Sequence, residues 1–262
     1  MEYALKIVVC IKQVLDTAAK INIQDGKVDS AGIPRIINPY DEFAIEEAIR
    51  IKEKKDDVEI TVVSLGPESV KEVLRSGLAM GADNAIHLLD PVFDKLDNLG
   101  VARALSVAIK SIPFDLILCG RQAVDDDMGQ IGGVLATILG LPLATVVTQL
   151  DFSEDGSKAI ATRQIEGGAE VYELGLPALL TCQKGLNEPR LPSLKGIMKA
   201  KKKEIKIMDS SALGWNQLPE SRVIHGEASL PPKKSGGLIL EGSPAETVSQ
   251  LVRLLRDEAK VV

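Results

Sequence analysis

Aromatic side chains are scarce in this chain: four Phe, three Tyr and one Trp among 262 residues, 3% of the total. That excludes a binding face of stacked rings and leaves a core to be built from Val, Ile, Leu and Ala, the side chains of strands covered by helices on both faces. Histidine is scarcer still, and neither His87 nor His225 has a Glu-x-x-His or Cys-x-x-Cys partner that would make a metal set. The three cysteines, Cys10, Cys119 and Cys182, are odd in number, far apart, and each inside or beside an apolar run. They read as buried thiols of a reducing compartment rather than as a disulfide framework. The longest apolar runs, such as Leu116-Ile117-Leu118-Cys119, fall far short of the ~20 residues a membrane helix needs. Gly-x-Gly-x-x-Gly and Gly-x-x-x-x-Gly-Lys-Ser/Thr are both missing, so neither a dinucleotide fingerprint nor a P-loop is supported. No nucleophile elbow occurs.

Positive charge is also in deficit overall, with 31 Lys+Arg against 37 Asp+Glu and a net charge of −6. Yet Lys184 to Lys206 holds eight basic and two acidic residues, a local +6 that leaves −12 for the remainder. One cationic patch on an acidic body argues against a general nucleic-acid binder. The amino end, Met1 to Lys6, runs straight into a strand pattern with no room for a cleaved signal, so the cytoplasm is the expected compartment.

What is present is alternation. Short β-branched runs (Leu5–Ile11, Val58–Leu65, Ala85–Leu89, Asp115–Cys119) alternate with amphipathic helical patterns, the first opened by Asn38-Pro39 and running to about Lys54. This predicts βαβ units and a mainly parallel sheet, with Asn38 as the helix cap. Ile21 to Val28, around Asp25-Gly26, predicts a small hairpin. From Ala144, three β-like runs without helices between them (Ala144–Leu150, Lys158–Ile165, Ala169–Leu174) predict an antiparallel edge. Beyond Ser210 the pattern weakens into a linker at Pro231-Pro232, Lys233-Lys234 and Gly236-Gly237. A last helix, Ser243 to Lys260, follows with Val248, Leu251, Val252 and Leu255 on one stripe. That stripe suits docking on its own core or gripping another chain.

Two segments carry chemical information. Leu116 to Gly133 is a buried strand ending in glycine, then a polar loop, then a small-residue helix start, where free backbone N–H groups and the helix dipole favour a phosphate. An ordinary strand-to-helix loop with Asp caps is the alternative. Ligands in open parallel sheets lie at the carboxyl ends of strands, which places Cys10, Val63–Leu65 and Gly120–Gly133 around one crevice. Asp125-Asp126-Asp127 points three ways and lacks a spaced partner, so capping or loop polarity is expected rather than metal or acid/base chemistry. The second segment, Leu186 to Lys203, is braced by Pro189 and Pro192, presents Leu191 and Leu194, and ends in cations. A solvated face or nucleic-acid contact does not explain a leucine between prolines; docking into an apolar pocket of an acidic partner does.

Together these segments resemble the β subunit of electron transfer flavoprotein over nearly the whole chain. The matching blocks are Val9-Cys10-Ile11-Lys12-Gln13-Val14, Asn38-Pro39-Tyr40-Asp41-Glu42, Ser64-Leu65-Gly66-Pro67, Ala79-Met80-Gly81-Ala82-Asp83, Gly120 to Asp127 with Gln130 and Gly132, and Leu186 to Arg190 running on to Ile197–Lys203. The resemblance implies an α/β, Rossmann-like fold of the adenine-nucleotide-hydrolase type, with a small antiparallel extension and a C-terminal arm. It implies a nucleotide-binding domain over 1–209, including a recognition loop at 184–203, and a linker and arm over 210–262 that contacts an α subunit. It also implies a non-catalytic half of a heterodimer that forms part of the FAD site, holds a structural AMP, and passes electrons from dehydrogenases to a quinone oxidoreductase, without nucleic acid and without inserting in a membrane. Carried over by position, the AMP pocket takes Cys10, Asn38, Val62, Val63, Ser64, Leu65, Gly120, Gln122, Ala123, Val124, Asp125, Asp126, Asp127, Gln130, Ile131, Gly132 and Gly133. Tyr40 and Glu170 fall near the flavin, and Leu191, Leu194, Ile197 and Met198 on the partner surface, with Leu194 as the anchor. Electron-bifurcating relatives hold a second FAD where others hold AMP, on a loop resembling Asp-Gly-Asp-Thr. Here Asp126 and Met128 stand for the glycine and threonine, which favours AMP. A stand-alone nucleotide ligase would need a Ser-Gly-Gly phosphate loop after the first strand, and Cys10-Ile11-Lys12-Gln13 is not one.

Overall fold

A computed structural model describes residues 4–224, 226–232 and 236–262. Met1 to Tyr3, His225 and the Lys233-Lys234 pair lie outside the described residues. In chain order the strands are β1 (Leu5–Cys10), β2 (Gln13–Leu15), β3 (Asn22–Gln24), β4 (Lys27–Asp29), β5 (Arg35–Ile37), β6 (Val58–Leu65), β7 (Asn84–Leu88), β8 (Leu116–Gly120), β9 (Leu143–Phe152), β10 (Lys158–Ile165), β11 (Gly168–Gly175), β12 (Ala178–Cys182) and β13 (Lys206–Met208). The α-helices are α1 (Pro39–Lys54), α2 (Val70–Met80), α3 (Asn98–Lys110), α4 (Ile131–Leu139), α5 (Leu194–Ala200) and α6 (Pro244–Arg253). The chain falls into two units, one of residues up to Ile21 with Ser30–Gly226, the other of Asn22–Asp29 with Glu227–Val262.

The first unit is organised on nine strands in the order β11-β10-β9-β12-β8-β1-β6-β7-β13. From β9 to β13 neighbouring strands run parallel, whereas β10 pairs antiparallel with both β9 and β11. The expected α/β class with its antiparallel extension is therefore what forms. The period of two along each strand sends alternate side chains to opposite faces. Ile7 and Val9 of β1 join the core beneath α1 and α2, while Val8 and Cys10 join the core beneath α3 and α4. Strand β1 lies between β6 and β8 because the chain moves outward through β6 and β7, then crosses back to β8. That reversal opens a crevice at the carboxyl ends of β1 and β8.

The first unit extends to Gly226. Strand β13 pairs with β7, the Ser210 N–H and hydroxyl both donate to Asp90 Oδ2 (3.2 and 2.6 Å), and Trp215 meets Phe93 edge-on at 6.1 Å. These contacts lie between short, weakly patterned segments, which is why periodicity does not disclose them. In the second unit, Asp25 and Gly26 both adopt positive φ (50° and 68°), the left-handed pair a two-residue hairpin needs, and join β3 to β4. Helix α6 begins with a Ser243–Glu246 capping box and continues through one π turn at Leu254–Glu258.

Helix α4 is seated against β12 through glycine. A Cβ on Gly132 would lie 2.4 Å from Thr181 Cγ2. Gly132→Ala is expected to cost about 1–3 kcal/mol through overpacking, a fall in Tm on the order of 5 °C. Thermal unfolding checks this, and an unchanged Tm would show that the helix has room to move.

Candidate functional site

The crevice is a cavity of about 500 Å³. Its wall is made by Cys10 ending β1, Ile11 and Lys12 after it, Leu65 ending β6, Asn98, Val101 and Leu105 of α3 with Leu96 before it, and much of the segment from Cys119 to Gly132. A volume in this range holds a small organic ligand.

Asp41 fixes the floor. Placed in the first turn of α1, it accepts from Lys12 N (2.7 Å) through Oδ2 and from Gly120 N (3.0 Å) through Oδ1. One carboxylate thus ties the ends of β1 and β8 to the start of α1. Glycine is required at 120, because a Cβ there would lie 2.2 Å from Asp41 Oδ1. Burial drives the Asp41 pKa up to about 7, against the two backbone N–H groups and Lys12, which favour the charged form.

Asn38 was expected to cap α1, but its side chain makes no cap hydrogen bond. Instead Nδ2 donates to Gln122 O (2.8 Å) and Oδ1 accepts from Val124 N (3.1 Å), while its own N–H donates to Lys12 O (2.9 Å). The helix start is already served by Pro39, and by Asp41 and Glu42 in the first turn, so the amide is free to brace the 120–124 loop. Across the rim, Lys12 Nζ meets Asp125 (2.8 Å) and Asp126 (3.1 Å). Burial opposes the Lys12 charge, but those carboxylates outweigh it and hold its pKa above the ordinary value.

The Asp run separates as expected for a loop. Asp126 Oδ1 caps Met128 N (3.0 Å), and Asp127, with φ 51°, accepts from Gln122 Nε2 (2.7 Å). Among the described residues no three His, Cys, Asp or Glu converge on a metal position. Gly129, at φ 60°, turns the chain into α4, whose N-cap Gln130 makes no side-chain cap. The first-turn N–H groups of Ile131, Gly132 and Gly133 have no intrahelical acceptor, and Ile131 and Gly132 are on the wall, so this corner suits an anion.

Of the residues assigned to the pocket by resemblance, Cys10, Leu65, Gly120, Gln122, Ala123, Asp125, Asp126, Gln130, Ile131 and Gly132 line the cavity. Val62, Val63 and Ser64 are buried inside β6, and Asn38, Val124, Asp127 and Gly133 stand off the wall. Sequence reasoning did not single out Ile11, Lys12, Asp41, Leu96, Asn98, Val101, Leu105 or Cys119 as wall residues. The strand-end rule that gave Cys10 also reaches Lys12, whereas the α3 face reads from sequence only as core. Tyr40 is half-buried beside Asp41, and Glu170 is exposed on edge strand β11, accepting from Tyr172 O–H (2.8 Å) with Arg163 Nη1 3.7 Å away; neither lines the cavity.

The expected partner surface is separate and exposed, with Leu191 90% and Leu194 84% accessible and Ile197 and Met198 beside them. Its base is rigid. Arg190 forks onto Glu46 (2.8 Å from both Nε and Nη2) and also meets Glu53, while Asn187 Nδ2 donates to Phe43 O (3.0 Å) and Glu47 (2.9 Å). At the far end Arg75 donates to Ala200 O and Lys203 O, and Gly196 packs so tightly on Ala79 O that no Cβ fits.

Asp41→Asn leaves one of the two backbone N–H groups facing an amide NH2, at a cost of about 1–3 kcal/mol. The pH dependence has a definite sign. Because the folded pKa, about 7, lies above the ordinary value of 3.8, the folded state holds the extra proton between them, and Asp41 loses stability for the protein as pH rises through that window. The stability gap between native protein and variant should be widest near pH 4 and narrow toward pH 7. Chemical denaturation across that range measures it; a gap that widens would contradict the assignment.

A family model described as the electron transfer flavoprotein domain matches residues 25–213. Proteins named electron transfer flavoprotein subunit beta are similar over nearly the whole length. The Bacillus subtilis (strain 168) protein is 43% identical over 262 residues, covering 98% of this chain and 100% of its own. That of Dictyostelium discoideum is 39% identical over 260 residues, 98% of this chain and 100% of its own, and that of Mus musculus 39% over 261 residues, 98% and 99%. With the fold and crevice described above, these similarities establish that the chain belongs to the electron transfer flavoprotein family, as a beta subunit.

Proposed function

We propose that this chain is the non-catalytic half of a heterodimer, holding AMP in its crevice and closing one side of an FAD site whose larger part belongs to an α subunit. The observation that carries the AMP reading is the junction of an uncapped helix start, α4, with a glycine-lined cavity of about 500 Å³. Phosphate oxygens would take the N–H groups of Ile131 and Gly132, with Lys12 supplying positive charge at the rim, and the purine would lie against Leu65, Val101 and Leu105. Tyr40 and Glu170 are the residues offered to the flavin. FAD, when bound, supplies the electron-carrying chemistry; the chain's own part is to hold, orient and shield. Carrying electrons from acyl-CoA-type or other dehydrogenases to a quinone oxidoreductase is a relay function, and the site offers no set of bond-making residues of its own.

A second reading, an electron-bifurcating subunit with another FAD in the crevice, is disfavoured by Asp126. Its carboxylate engages Lys12 and caps Met128 N, so a bulky, engaged side chain stands where a small residue would admit a larger ligand. Among the described residues no helix is long and apolar enough to cross a membrane, which fits a relay that meets a membrane acceptor without entering the bilayer.

Two measurements test this reading. Denaturing the co-purified complex and separating its cofactors should give one FAD and one AMP per heterodimer; two FAD and no AMP would move the chain to the bifurcating class. Leu194→Ala removes an anchor worth about 1.5–3 kcal/mol on burial, so kcat/KM for electron acceptance from a dehydrogenase should fall roughly 10–100-fold with flavin content intact. Unchanged kinetics would remove Leu194 from docking.

A further inference from the structure

Cys10 and Cys119 stand directly opposite one another on parallel strands β1 and β8. Both fall in the core beneath α3 and α4. In-register positions on neighbouring strands lie about 4.8 Å apart, so the two thiols are side by side on one face of the sheet. Both thiols are free and nearly buried, at 7% and 4% exposure, and both form part of the cavity wall. Cys182, the third thiol, packs into the core on the opposite face of the sheet and is not part of that wall. The nucleotide reading uses Cys10 as wall and gives Cys119 no task, leaving a dithiol at the floor.

We propose that Cys10 and Cys119 form a chelating site for trivalent arsenicals at the floor of the cavity, and that its occupation expels the nucleotide. The expulsion rests on the AMP reading above; the binding does not. The reaction balances without a redox partner: an arsenic(III) oxide R–As=O condenses with both thiols, the As=O and two S–H bonds break, and two As–S bonds form. The two protons leave with the oxygen as water, and arsenic stays trivalent. Pyramidal arsenic holds two sulfurs on one side, an arrangement that neighbouring in-register side chains on one face of a sheet can meet. A linear two-coordinate metal would instead force them to opposite sides of the ion. The product is also neutral, which matters next to the buried Asp41. A monovalent soft cation would leave an anionic bis-thiolate there, a costly charge to bury.

Peroxide sensing fits the site less well. Oxidation proceeds through a thiolate, and the neighbouring Cys10 together with burial pushes the Cys119 thiol well above its ordinary pKa. Condensation with an arsenic oxide hands its protons to the departing oxygen and needs no standing thiolate. The cavity of about 500 Å³ leaves space above the sulfurs for a phenyl group.

Phenylarsine oxide is the probe. It is added in equimolar amount to the purified flavoprotein complex, both as isolated and after nucleotide is stripped, and followed by native mass spectrometry and by chromatography of released adenine nucleotide. One phenylarsenic group should appear on this chain, be reversed by excess small dithiol, be lost in Cys10→Ala and in Cys119→Val, and persist in Cys182→Ala. Circular dichroism melts of the variants separate loss of the site from loss of the fold. If a variant does not fold, Cys10→Ser and Cys119→Ser replace it with the same expected loss. An adduct that survives removal of either cysteine, disappears with Cys182, or forms on neither preparation overturns the site. Arsenic bound with adenine nucleotide retained overturns the expulsion alone, whereas arsenic bound to a complex that never contained adenine sinks the AMP reading and leaves the dithiol standing.

Discussion

A single buried carboxylate holds the site together. Asp41 gathers the backbone of Lys12, where β1 ends, and of Gly120, where β8 ends, onto the first turn of α1. Parallel strands at a topological reversal diverge, and the crevice between them has no fixed width unless something spans it. Here the span is one side chain with both oxygens engaged by backbone N–H groups, in surroundings dry enough to lift its pKa to about 7. Asn38, three residues earlier, extends the same brace to the loop at Gln122 and Val124. The first turn of α1 is therefore less a helix terminus than the frame of the cavity.

The exposed surface around Leu191 and Leu194 follows the same logic on another part of α1. Glu46 and Glu47 are buried acids, tolerable because Arg190 and Asn187 meet them. The fork of Arg190 onto Glu46 stiffens the base of a loop whose tip, at Leu191 and Leu194, is left open to solvent. Helix α1 thus carries the cavity frame at one end and the loop base along its length, which gives both surfaces a common rigid support.

Much of this was legible in the sequence. Continuous β-branched runs alternating with amphipathic stripes specified the parallel core, and the helix-free stretch after Ala144 specified the antiparallel edge, because both signals are local and periodic. The crevice was legible as a set of strand ends. What sequence could not supply was the third dimension of the polar network. Asn38 before Pro39 has the form of a cap, and only the approach of the 120–124 loop turns its amide elsewhere. Asp41 reads as a first-turn acid favoured by the helix dipole, with nothing local to show that it is buried. Residues 210–226 carry weak periodicity and are held by Ser210–Asp90 and Trp215–Phe93, pairings between distant segments that no window on the chain contains. Val62 to Ser64, assigned to the pocket by resemblance, are buried within β6, and of that segment Leu65 lines the cavity.

The proposed recognition of an adenine mononucleotide by the braced crevice turns on one contact, that of its phosphate with the start of α4. Calorimetric titration of the nucleotide-stripped complex with AMP and, in parallel, with adenosine isolates that contact. AMP should bind saturably and one-to-one, and adenosine more weakly by at least roughly tenfold, the loss of about 1.4 kcal/mol. Equal affinity for the two, or no heat from either, would contradict it.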